Sequence, residues 1–364
     1  MHRNNIKYLG NKNKQSEFIV NKINKTIISG DPIIGDLFCG TGVISSRAKL
    51  NGHRVHANDY LKQCFIRAEV LLLLNSPPKF GDVTDTLRIK ESIPCITPSK
   101  YNDVLAHLND LDGEEGFFYN EYCPGGSRLH GQWERRYFSD ENARKIDAIR
   151  NEIKRWVRDH QISHLEHELL LFDLMEAVNE VANISGTYGC FLKNFDKCAL
   201  KSIQLRQARL VPGRIDHIIT MEDIFTVCEN TKSDIVYLDP PYTKRQYPTY
   251  YHILETIALE DEPVIDGKTG LREWKEKASD FCYKRKALKS LEDLITKLWP
   301  KDIFFSYSSD GHMRCEDILS LMKNFGDVQI FEYPQKRFKS NRSVTKNKDL
   351  KEFLFYLRSE HVDR

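Results

Sequence analysis

From Ile33 to Leu74 the chain alternates short apolar runs with amphipathic stretches, and this rhythm constrains its fold more than any other feature. Ile33-Ile34-Gly35-Asp36-Leu37-Phe38 reads as a buried strand and Val43 to Leu50 as the helix after it. Arg54-Val55-His56-Ala57-Asn58 reads as a second strand, followed by a long helix from about Leu61 to Leu74. Strand–helix–strand–helix is how a doubly wound parallel sheet begins, so the predicted fold class is α/β. Ahead of it, residues 15 to 28 place Phe18, Ile19, Ile23 and Ile27 on one helical face, until Gly30-Asp31-Pro32 breaks the chain.

The rhythm stops at Ser76-Pro77-Pro78. Residues 100 to 135 are rich in Asn, Asp, Gly, Tyr and charge and show no α/β period. A helix is then predicted from Ala143, Ile146, Ile149, Ile153 and Trp156. The capping box Ser163-His164-Leu165-Glu166 opens another, to about Ala182. Alternation resumes near Arg214. Strands are predicted at 215–219, 233–238 and 302–307, a helix at 286–298, and a last strand from Lys351 to Leu357, where Phe353, Phe355 and Leu357 alternate. One sheet in two halves follows, residues 1–80 and 205–364, with a domain-sized, partly helical insertion at 81–204.

At 364 residues with 40% hydrophobic residues the chain can bury a sizeable core, which excludes a disordered protein. Its net charge of +2 neither demands nor excludes nucleic acid, so local charge matters more. Nine cysteines without a CxxC pair fit no metal pattern, so no metal is expected, and they suggest reduced thiols in the cytosol. Neither a signal-peptide stretch at Met1-His2-Arg3-Asn4-Asn5 nor a membrane-length apolar run is seen, and the expectation is a soluble, cytoplasmic chain.

Three motifs carry chemistry. Ile235-Val236-Tyr237-Leu238 runs into Asp239-Pro240-Pro241-Tyr242, where two prolines fix φ twice and remove two donors, so the chain must leave the sheet. An acid and an aromatic ring are then held at a strand's carboxyl end, where open α/β sheets place ligands; a plain strand-ending turn is the alternative. Asp36-Leu37-Phe38-Cys39-Gly40-Thr41-Gly42 spans the first strand-to-helix turn, whose glycines let a ligand approach the backbone. Ser45 replaces the third glycine of the dinucleotide fingerprint, which disfavours an NAD-dependent dehydrogenase, and no Gly-Lys-Ser/Thr of a phosphate loop follows. Asp59, about 20 residues beyond the turn, suits ribose hydroxyls, while Asn58-Asp59 could equally cap a helix. Lys7-Tyr8-Leu9-Gly10-Asn11-Lys12 puts an aromatic, a glycine and cations before the first helix.

Taken in order, Lys7 to Lys12, Asp36 to Gly42, a long insertion and Asp239 to Tyr242 resemble the S-adenosylmethionine-dependent DNA adenine methyltransferases, in the alpha-class, Dam-like arrangement. Thr243-Lys244-Arg245-Gln246-Tyr247 with Tyr251-His252 and Leu254-Glu255 looks like a subgroup of restriction–modification systems, of the Fok type. Ile184 to Gly189, Phe191-Leu192-Lys193 and Ser306-Tyr307-Ser308 are also similar, and the likeness is weakest over residues 80 to 135.

The resemblance implies a Rossmann-like methyltransferase sheet with an inserted target-recognition region. It implies S-adenosylmethionine as cofactor, double-stranded DNA as substrate, and a cognate restriction endonuclease as a possible partner. Tyr8, Gly10 and Lys12 would hold the methionine end of the cofactor or nearby DNA. Asp36, Phe38, Gly40 and Gly42 would form the methionine pocket, Asp59 would bind the ribose, and Asp223 with Ile224 would border the cofactor's adenine. Asp239, Pro240 and Tyr242 would carry the target base, flipped out of the duplex because stacking hides its amino group.

Basic segments fit such a substrate: Lys336, Arg337, Lys339 and Arg342 around Phe338, together with Arg245. Arg128, Arg135 and Arg136 in the insertion are candidates for reading guanine edges. The alternatives are a methyltransferase acting on RNA or a protein amide, which typically opens the tetrad with Asn, and a catalytically dead DNA-binding module.

Overall fold

The computed structural model describes residues 8, 10–86, 100–130, 133–335 and 350–358. They fall into two compact units. The sheet unit comprises residues 11–68, 213–247 and 277–364. Its seven strands are β1 (Ile33–Asp36), β2 (Arg54–Asn58), β3 (Ile218–Thr220), β4 (Ile235–Leu238), β5 (Asp302–Ser308), β6 (Asp327–Gln335) and β7 (Leu350–Arg358). Their order is β3-β2-β1-β4-β5-β7-β6. β1 to β5 run parallel, whereas β7 lies antiparallel to both β5 and β6. The result is a mixed α/β fold around a mostly parallel sheet.

This order follows from where the apolar residues lie. β4 and β5 are buried along their whole length, as expected of strands covered on both faces. On one face Leu37, Val236, Leu238, Ile303, Phe305, Phe355 and Leu357 pack against the helices Ile224–Asn230, Ala287–Leu298 and Cys315–Met322. Helices Ser16–Asn24 and Val43–Leu50 pack together, and Ile19, Val20, Ile23, Ile44 and Ala48 on them are buried. Because β1 and β4 are parallel neighbours, Asp36 opposite Tyr237, the loops leaving both strands emerge at the same edge of the sheet.

The second unit comprises residues 1–10, 69–212 and 248–276 and is mainly helical. Its long helices Asp140–Arg158 and His164–Val181 match the predicted ones, and both bonds of the capping box are formed, Ser163 with Glu166. Residues 100–130 prove to be helical too, in the segments Lys100–Asp110, Phe117–Tyr122 and Pro124–His130. Periodicity cannot disclose six- and seven-residue helices that are held from elsewhere. Asp147, buried on the helix Asp140–Arg158, accepts from the N–H groups of Gly116, Phe118 and Tyr119, and Asp140 accepts from Gly125. β6 and the helix Gly81–Thr86 were likewise not predicted, and β3 begins three residues later than the predicted strand at 215–219. No helix among the described residues is long and apolar enough to cross a membrane.

Candidate active site

At the first strand-to-helix turn, Gly40 and Gly42 take φ of 50° and 71°, the left-handed region that side chains resist. Gly42 thereby starts the helix Val43–Leu50 directly after a sharp turn. Asp36 is 1% exposed and points into the turn, where its Oδ2 accepts from the N–H (3.0 Å) and the hydroxyl (2.6 Å) of Ser45. Burial pushes its carboxyl up to about 7, opposed by the two Ser45 bonds and reinforced by Asp239 and Asp59. Asp59 leaves the end of β2 and braces the same turn. Its Oδ2 accepts from the Gly40 N–H at 2.9 Å and its Oδ1 from Leu61 at 3.1 Å. Phe38 packs edge-on against Phe281. Asp223 caps the helix Ile224–Asn230 by accepting from Phe225, and Ile224 belongs to the core beside it.

One strand over, Asp239 and Tyr242 follow β4. Lys12, with only 6% of its side chain exposed, puts its Nζ 3.1 Å from Asp239 Oδ1 and 3.3 Å from Glu352 Oε2. The same ammonium lies 5.4 Å from the centre of the Tyr242 ring. The Tyr242 hydroxyl reaches Glu352 Oε1 at 3.4 Å, and its ring meets Tyr307 edge-on. His312 donates its N–H to the Tyr242 carbonyl, which fixes the backbone after the two prolines. Burial pushes the Asp239 carboxyl up to about 6; Lys12 pulls it down and Glu352 pushes it up. Burial acts to deprotonate Lys12, yet Asp239, Tyr242 and Glu352 outweigh it and hold the ammonium well above its ordinary range.

Sequence reasoning therefore placed Lys12 among the ligand-binding residues but missed its ion pair with Asp239, and missed Glu352 altogether. A signal for Glu352 existed. In Lys351-Glu352-Phe353-Leu354-Phe355-Tyr356 it alternates with Leu354 and Tyr356, both buried, and an acid on a buried face requires a partner.

Other contacts hold the remaining candidates. Tyr8 and Gly10 belong to the helical unit, where Tyr8 stacks on Tyr251 at 4.2 Å. Arg128 is exposed and paired with Glu134, and Arg136 shares that carboxylate while also donating to the Lys193 carbonyl. Arg135 is 5% exposed and turned inward, bonded to Glu121 and to the Gly267 carbonyl. This burial does not suit it to reading a base edge. Arg245 is exposed on the loop after the tetrad. Lys7, Leu9, Lys336, Arg337, Lys339 and Arg342 lie outside the described residues.

Residues 8–315 match the family of D12 class N6 adenine-specific DNA methyltransferases. The chain belongs to this family. It is 34% identical to the Type II methyltransferase M.FokI of Planomicrobium okeanokoites over 98% of its own length and 53% of that protein's. The modification methylase StsI of Streptococcus sanguinis is 32% identical over 97% of this chain and 52% of its own. The chain thus spans about half the length of these two relatives. It covers 98% of the Type II methyltransferase M.NlaIII of Neisseria lactamica, at 33% identity.

The family implies S-adenosylmethionine as methyl donor, and the donor set at the first turn suits it. Two carboxylates at neighbouring strand ends, held by neutral donors beside a glycine turn, match a ligand with an ammonium group, a sulfonium and ribose hydroxyls. In the helical unit Glu69, His164 and Glu168 also bring ligand atoms within 4.8 Å of one another. His164 Nε2 sits 3.1 Å from both Glu69 oxygens, which is the geometry of an ion pair.

Proposed function

We propose that this chain transfers a methyl group from S-adenosylmethionine to the exocyclic amino group of an adenine flipped out of double-stranded DNA. The observation that carries the reading is the Lys12, Asp239, Tyr242 and Glu352 cluster, one strand away from the carboxylate-braced glycine turn. When bound, S-adenosylmethionine supplies an electrophilic methyl on a good leaving group. The residues of the chain must then make the amino group nucleophilic and position it.

An adenine amino lone pair is delocalised into the ring. Asp239 and the Pro240 carbonyl accept the two amino hydrogens and free that lone pair for attack. A proline suits this because it has no N–H to compete and it holds the carbonyl rigidly. With its carboxyl near 6, Asp239 is ionised at neutral pH and can take the amino proton that must leave. Tyr242, clamped by Tyr307 and Lys12, offers a stacking surface worth about 1–3 kcal/mol per base. Asp36 shapes the methionine pocket through Ser45, Asp59 takes the ribose, and Asp223 with Ile224 borders the cofactor's adenine.

Residues 81–204 are proposed to form the target-recognition region, in which Arg128 is exposed and Arg136 partly exposed whereas Arg135 is buried. We further propose action in the cytoplasm as the modification partner of a restriction endonuclease. Labelled S-adenosylmethionine incubated with plasmid DNA should label adenine, and Asp239→Ala should abolish the transfer. Label entering only RNA or protein would overturn the reading.

A further inference from the structure

Lys12 stands between two carboxylates, and only one of them belongs to the tetrad. Glu352, 6% exposed, comes from β7, an antiparallel strand that ends the described residues. Its two oxygens are divided between two active-site groups: Oε2 faces the Lys12 ammonium at 3.3 Å and Oε1 the Tyr242 hydroxyl at 3.4 Å. One buried carboxylate therefore sets the position of the cation facing Asp239 and the tilt of the ring after it.

We propose that Glu352 is a positioning residue for methyl transfer, holding Lys12 off Asp239 and fixing Tyr242 so that the acceptor edge of Asp239 stays available to the target amino group. Three charges share the site: one ammonium and two carboxylates. With Glu352 present, the ammonium divides its attraction between two acids. With Glu352 neutralised, Lys12 would pair with Asp239 alone and compete with the amino hydrogens for the same oxygens. Removing one negative charge would also lower the proton affinity of Asp239, since Glu352 pushes it up. Lys12 and Glu352 act on both Asp239 and Tyr242, Asp239 and Asp310 act further on Tyr242, and Asp36 feels Ser45, Asp239 and Asp59. Of these, Glu352 alone bonds both Lys12 and Tyr242.

This inference rests on the proposed methyl transfer to DNA adenine. The test compares wild type, Glu352→Gln, Glu352→Asp and Lys12→Met with Lys12→Met/Glu352→Gln, measuring steady-state adenine methylation from pH 5 to 8.5 and the thermal melt of each. Glu352→Gln is expected to lower kcat by roughly ten- to a hundredfold, the scale of a misplaced reacting group, with KM for cofactor and DNA nearly unchanged. Its acid limb should move to lower pH, and Glu352→Asp should restore the limb toward wild type. In the Lys12→Met background the further change Glu352→Gln should cost less than it does in wild type, because the part of its effect that runs through the ammonium is already gone and only the Tyr242 contact is lost. A Glu352→Gln variant with the wild-type melt, kcat and acid limb would overturn the inference while leaving adenine methylation standing. If Glu352→Gln does not fold, a Glu352→Asp variant that melts as wild type but whose acid limb is displaced from that of wild type would overturn it equally. A wild-type chain that leaves DNA adenine unlabelled fails the underlying reading instead.

Discussion

Two pairs of carboxylates lie along the same edge of one sheet, and they are held by opposite means. Asp36 and Asp59 accept from a hydroxyl and from backbone N–H groups, all neutral donors. Asp239 and Glu352 face each other across the Lys12 ammonium. Neutral donors leave the negative charge of the first pair for an incoming cation, which is what a sulfonium cofactor brings. The second pair has its cation built in and can offer hydrogen-bond acceptors to a neutral amino group. Under the proposed function, the first pair would bind and the second would do the chemistry.

The largest effect that would break this contrast concerns Asp239. Asp239→Asn should lower kcat by about 10²–10³-fold with cofactor affinity kept, read by single-turnover methylation alongside equilibrium binding. Loss of cofactor binding instead would merge the two pairs. Next, Asp36 binds its proton near 7 in the folded chain against 3.8 for the free group. The folded state therefore holds the extra proton between those values, and stability should fall as pH rises from about 4 to about 7, then level off. Denaturant unfolding at pH 5, 6, 7 and 8 should show a slope that Asp36→Asn flattens. The same titration links to binding: a cationic ligand should bind more weakly below pH 7.

Asp59→Ala removes the acceptor of two N–H groups, and cofactor Kd should rise about ten- to a hundredfold with kcat at saturation retained, checked by calorimetry. A kcat loss like that of Asp239→Asn would place Asp59 with the chemistry. The smallest effect sharpens the turn itself. Gly42 sits at φ 71°, so Gly42→Ala should cost about 1–2 kcal/mol of stability, measured by urea unfolding.

Much of the sheet unit was legible because its signals are local. The helix Val43–Leu50 and strand β2 fall where the apolar pattern placed them, and the tetrad ends β4 as two prolines require. β6 was missed because Pro334 argues against a strand over Asp327–Gln335, which lies at the sheet's edge and pairs with β7 alone. The short helices of residues 117–130 were illegible because Asp147 and Asp140, on another helix, satisfy their first N–H groups. Among the arginines, charge alone could not separate exposed Arg128 from buried Arg135.

The sequence by itself determined the α/β class, the glycine turn, the acid after β2 and the Asp-Pro-Pro-Tyr exit from β4, because each depends on neighbours within a few positions. Only the tertiary structure decided that Lys12 pairs with Asp239 and that Glu352, 340 positions from Lys12, completes the site. Burial is the physical reason: a charge removed from water must find its opposite, and which opposite it finds depends on how distant strands are brought together.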